Sequence, residues 1–129
     1  MIQKFFLPTT LFVLTSLMSL SSHSLTLPDC LLLAKECHTV SQKLAKLSRI
    51  QTEPACVSTL HEAETDTELA ANYLENEAYH TAKNHLGYAS QSLKHAITLS
   101  CENSLEIDVA KSELAEINAQ LIDFFNKKL

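Results

Sequence analysis

Glycine is almost absent from this chain, and tryptophan is missing altogether. The single glycine, Gly87, lies within a helical pattern, so Gly-rich phosphate loops, nucleophile elbows and dinucleotide fingerprints lack the residue that allows their tight turns. There is no run of alternating β-branched residues and no Asn-Gly or Asp-Gly turn, which leaves strands without support. Basic residues are also few, with 10 Lys and Arg against 15 Asp and Glu in 129 residues. Such a surface repels phosphate backbones and has little to hold anionic lipid, so nucleic acid is not expected as a partner.

Long apolar runs occur only at the start. Lys4 gives a positive beginning, Phe5 to Leu20 is almost wholly apolar, and Ser22-His23-Ser24 puts small residues at the first and third places before a cut at Leu25. Residues 1–24 therefore read as a secretory signal peptide, and residues 25–129 as a single mature domain. Sixteen residues at ~1.5 Å each reach ~24 Å, short of a ~30 Å hydrocarbon core, and Pro8 sits inside the run. No integral membrane segment is expected after cleavage. Lipidation is not expected either, because Leu27-Pro28-Asp29 places no small residue beside Cys30. The expected location is secreted or periplasmic, and the absence of any Asn-x-Ser/Thr sequon fits a bacterial periplasm. Cleavage removes Lys4, both Met and three of the five Phe, leaving nine basic against fifteen acidic residues and a formal charge of −6. The remaining aromatics, Tyr73, Tyr79, Tyr88, Phe124 and Phe125, cannot form a stacking platform for bases.

Helical periodicity dominates the mature chain. Thr39-x-x-Gln42 has capping-box spacing, and Val40, Leu44 and Leu47 then share one face, which predicts a helix from about 40 to 51. Leu31, Leu32 and Leu33 form a short upstream apolar segment expected to tuck against the bundle. Thr52-Glu53-Pro54 is a helix start, since Pro in the first turn gives up a donor that had no partner. Val57, Leu60, Ala63, Ala70, Tyr73 and Leu74 follow at steps of three and four. The stripe resumes as Tyr79, Ala82, Leu86, Ala89, Leu93 and Ile97. One continuous rod would run ~67 Å, so a break is expected at Asn76, a residue that tolerates the left-handed region. A last helix follows the cap-like Asn103-x-x-Glu106, with Ile107, Ala110, Leu114, Ile117, Leu121 and Phe124 as its stripe and Lys127 and Lys128 at the negative end of its dipole.

Four cysteines in an exported chain imply two disulfides, with three possible connectivities. In an up-down-up-down bundle Cys56 and Cys101 lie at the same end, which leaves Cys30 and Cys37 as a local pair. Seven residues of intact helix rise ~10.5 Å, whereas a disulfide needs Cα atoms within ~6.8 Å. Pairing Cys30 with Cys37 thus requires residues 30–37 to turn or unwind. No Cys-x-x-Cys is present to lower a thiol pKa, and Cys37-His38 lacks the spacing of a haem attachment site.

Other constellations are incomplete. Glu77-x-x-His80 has the spacing of a di-iron bundle unit but occurs once, where such bundles need it twice with two further Glu. His61, His80, His85 and His95 hold the right atoms for copper or zinc, but His80 and His85 fall about 140° apart around a helix. Glu62, Glu64, Asp66 and Glu68 alternate like a calcium loop yet lack its glycine and closing Glu, and read as a solvated helical face. No Ser, His and Asp set suggests nucleophilic catalysis.

Two resemblances remain. Leu69-Ala70-x-x-Tyr73 followed by Tyr79-x-x-Ala82-x-x-x-Leu86-x-x-Ala89 is similar to one tetratricopeptide repeat, with Asp66, Ala70 and Lys94 standing where that family has Trp, Gly and Pro. The cysteine layout resembles the pectin methylesterase and invertase inhibitor family, which has a signal peptide, a short Cys pair in an N-terminal hairpin and a long Cys pair across a four-helix bundle. Family members are longer between the second and third cysteines, where eighteen residues lie here.

The sequence thus predicts an all-α protein, a small antiparallel bundle of about four helices, up-down-up-down, held by disulfides among Cys30, Cys37, Cys56 and Cys101. No cofactor, metal ligand or catalytic residue is assigned. The expected role is that of an exported, non-enzymatic accessory module that binds another protein. The alternatives are a secreted enzyme inhibitor like the resembled family and a periplasmic metal-binding protein.

Overall fold

Pro54 opens its helix as expected, because the first amides of a helix have no partner within it and a proline there gives up nothing. Glu53 precedes it in extended geometry, and its carbonyl accepts from Cys56 and Val57. In the computed structural model, which describes residues 27–128, the helices are α1 (Leu27–Arg49), α2 (Pro54–Glu75), α3 (Tyr79–Thr98) and α4 (Ser104–Lys128). No strand occurs among the described residues. The expected signal peptide, residues 1–24, lies outside them, and among them no helix is long and apolar enough to cross a membrane.

The helices form a ring. α2 packs on α1 and α3, α4 packs on α3 and α1, and the backbones of the diagonal pairs do not come close. Leu44, Leu60, Leu74, Leu86, Leu93, Ile107, Leu114 and Leu121 fill the centre with essentially no exposure. On α1, Cys30, Cys37 and Leu44 repeat every seven residues, as do Ala34, Ser41 and Ser48, and all six are buried. Small side chains at that spacing let α2 come close. Ser41 Oγ donates to the Glu64 carbonyl at 3.3 Å and Ser48 Oγ to the Val57 carbonyl at 3.2 Å.

This register corrects the expected start of the first helix. α1 runs unbroken through residues 27–49, and Thr39, rather than capping, donates its hydroxyl back to the Lys35 carbonyl at 3.1 Å within the helix. Leu33 is buried, but Leu31 and Leu32 are 48% and 55% exposed, because three consecutive residues cannot share one helical face.

An intact α1 also overturns the Cys30–Cys37 disulfide. Both are buried thiols outside any disulfide, held apart by the rise of the helix that carries them. The single disulfide among the described residues is Cys56–Cys101, with Cα atoms 5.6 Å apart. Beside it the Gln51 carboxamide pairs with the backbone of Glu102. Its Nε2 donates to the Glu102 carbonyl and its Oε1 accepts from the Glu102 amide, both at 2.9 Å. The α3–α4 loop is thus tied by a covalent bond to the first turn of α2 and by two hydrogen bonds to the α1–α2 loop.

The chain breaks where the length argument places it, although the left-handed residue is Glu77 (φ 61°) and not Asn76. The amide of Ala78 reaches the Tyr73 carbonyl and that of Glu77 the Leu74 carbonyl, the pairing of a Schellman motif. Ser100 (φ 59°) ends α3 in the same way, with Cys101 bonded to Ala96 and Ser100 to Ile97. Asn103 (φ 61°) is also left-handed, not the extended side-chain cap its spacing suggests. On α2, Val57 is turned outward and Cys56 takes the core position.

Gly87 is helical, and a Cβ built there meets nothing within 4 Å. Gly87→Ala is therefore expected to raise stability by about 0.5–1 kcal/mol, measured by urea unfolding. Reduction of Cys56–Cys101, which closes a loop of 45 residues' separation, is expected to lower it by about 4 kcal/mol on the chain-entropy relation, read as the difference between oxidised and reduced unfolding curves.

Candidate functional site

α2 carries Glu62, Glu64, Asp66, Glu68 and Glu75 but no Lys or Arg, so its carboxylates find their partners among histidines. His38 on α1 sits between Glu68, 2.6 Å from Nδ1, and Glu75, 3.3 Å from Nε2. His85 on α3 places Nδ1 2.8 Å from Asp66 Oδ1. His61 lies 3.2 Å from Glu64 on the same helix. Histidines and carboxylates whose spacing forms no complete ligand set thus serve largely as ties between helices. His38, which the sequence brings up only beside Cys37 in an incomplete haem attachment pattern, makes the most of these contacts. Only a fold that brings α1 beside α2 reveals it.

Aromatic packing fixes two of the imidazole rings. His85 stacks on Tyr73 with centroids 5.3 Å apart and meets Tyr88 edge-on at 5.6 Å. His80 stacks on Phe125 at 4.5 Å, at the opposite end of the protein from the disulfide. Glu77 lies in the turn before α3, outside the helix that carries His80, so the pair does not present two ligands on one helical face. No group of three or more His, Cys, Asp or Glu that could hold a metal ion occurs among the described residues.

The two thiols of α1 are shielded. Burial, aided by Glu36 and Glu68, pushes the Cys37 thiol up to about 12. The Tyr79 hydroxyl is raised in turn, first by loss of water and then by Cys30 and Glu77 beside it. A thiol that resists ionisation is a poor nucleophile, so Cys37 serves as a small apolar core residue.

The seam between α1 and α4 differs from the other three helix contacts. It is the sparsest of them and is not spanned by a short connection. A half-open cavity of about 390 Å³ lies in it, lined by Lys43, Lys46 and Leu47 from α1, Ile50 just past its end, and Glu106 and Val109 from α4. A second, of about 250 Å³, lies farther along between Val40 and Ile117, rimmed by Glu36, Glu113 and Glu116. Lys43 Nζ crosses between the helices to both carboxylate oxygens of Glu113, each at 2.9 Å. Ile50 and Val109 stand about half exposed, and Leu105, one turn before Val109, is 77% exposed. The sequence holds a signal for this surface in Lys43, Lys46 and Ile50, spaced three and four apart beside the buried stripe of α1, but it marks an edge only once the neighbouring helix is known.

Against protein-family models, curated proteins and solved structures, the chain finds no match. The hairpin that the inhibitor resemblance implies for Cys30 and Cys37 is replaced by continuous helix.

The Cys37 value gives a pH dependence of definite sign. The folded thiol titrates above its unfolded value of 9.0, so its stabilising contribution is complete below about pH 9 and is lost as pH rises toward about 12. Between about pH 8 and about pH 10 the protein should lose on the order of 1 kcal/mol more stability than Cys37→Ala does, measured by denaturant unfolding. A thiol reagent should leave the native protein unlabelled and find two thiols per chain after unfolding without reductant.

Proposed function

We propose that this chain is an exported accessory module that works by binding another protein along the α1–α4 seam, without catalysis. The observation that carries the reading is the half-open apolar cavity with Ile50 and Val109 at its edge and Leu105 beside it. Exposed apolar side chains gathered at a groove between helices are what a docking partner covers. Support for export comes from the signal-like residues 1–24 together with the Cys56–Cys101 disulfide. The secreted or periplasmic location and the cut at Leu25 belong to this proposal. So does the up-down-up-down order of the helices, which is supported by connections of three to five residues and by the pairs Ser41–Glu64, Ser48–Val57 and Lys43–Glu113.

The test is capture from the cells that make the protein, using a photo-crosslinking residue at Val109 and, as a control, at Tyr88. The Val109 protein should yield one discrete, identifiable adduct that Lys46→Glu abolishes while the helical circular dichroism is unchanged. Adducts at neither position, or equal adducts at both, would refute seam binding. The N-terminus of the recovered protein should read from Leu25.

A further inference from the structure

We infer that the seam receives an amphipathic helix of the partner, carrying two large apolar side chains two turns apart, with acidic residues around one and basic residues around the other. The inference rests on the proposed protein-binding role and names the chemistry of its partner. The two cavities lie on one line along the seam. Their α1 linings centre about seven residues apart, or about eight with Ile50 just past the helix end, ~10.5–12 Å along the axis, and an incoming helix repeats its face at ~10.5 and ~12 Å, seven and eight residues on. An extended peptide has no such foothold. Strand addition needs an open sheet edge, and no strand occurs among the described residues.

Charge sets the polarity of the occupant. Among the described residues Lys46, at the rim of the first cavity, and Glu36 and Glu116, at the second, have no ion-pair partner. One end of the seam therefore favours carboxylates on the α1 side, across from Glu106, and the other favours ammonium or guanidinium groups. Lys43 and Glu113 strap the groove between the two cavities, and such an exposed pair is weak enough to open or to be read by a charged residue between the anchors. The described residues of a second copy do not supply such a helix: their exposed large apolar side chains on helices, Leu31, Leu32, Val57, Tyr88, Leu105, Val109 and Ile122, include no pair seven or eight apart on one helix.

The probes are synthetic Ala-based helical peptides of eighteen residues, with two leucines seven positions apart, followed by fluorescence anisotropy on the disulfide-bonded protein recovered from its producing cells. The matched peptide carries Glu around one leucine and Lys around the other. It should bind at least about tenfold more tightly than an all-Glu version, an all-Lys version, or one with the leucines five positions apart. Lys46→Glu should weaken the matched peptide and strengthen the all-Lys one, and Glu116→Lys should weaken the matched peptide and strengthen the all-Glu one. Equal binding of the five-apart peptide, or no binding of the matched peptide up to about 1 mM, would overturn the inference. Either failure leaves capture at Val109 standing as the separate test of whether the seam binds protein at all.

Discussion

The ring of helices depends on a tie between its two loops at one end. α1 joins α2, α2 joins α3 and α3 joins α4 through short connections, but nothing in the chain's order holds α4 against α1. Cys56–Cys101 fixes the start of α2, and the Gln51–Glu102 pairing the α1–α2 loop, to the α3–α4 loop, and together they hold the ring closed. A domain of this size buries only part of its unfolded surface, and a covalent link that lowers the entropy of the unfolded chain is an effective substitute for more core.

That closure leaves the four contacts unequal. α1 meets α2 through Ala34, Cys37, Ser41 and Ser48, whose small volumes allow close approach, and through hydroxyls that donate to α2 carbonyls. Imidazoles add to the grip, with His38 and His85 tying α2 to the helices on either side of it. The α1–α4 seam is the sparsest of the four contacts and is bridged by the exposed Lys43–Glu113 pair. Loose packing there is the physical source of both cavities, and hence of the surface assigned to a partner.

The cysteines show how far local reading reaches. Helix order alone places Cys56 and Cys101 at one end, and they are bonded. Elimination pairs Cys30 with Cys37, yet their spacing of seven is also the repeat of a helix face, and continuous helix is the stronger demand because it satisfies every backbone amide in the segment. The break near residue 76 is legible from length, whereas the residue that bends there is not. In a Schellman motif the left-handed position follows the last helical carbonyls, and Glu77 is the residue that falls at that place.

By itself the sequence determined the all-helical class, the buried faces of α3 and α4 and the start of α2, because periodicity and proline act within a few residues of themselves. Only the tertiary structure decided which thiols pair, which histidines meet which carboxylates and where the surface stays open. Those outcomes depend on distances between segments some twenty to seventy residues apart, set by how closely whole helices approach, and no local pattern encodes that spacing.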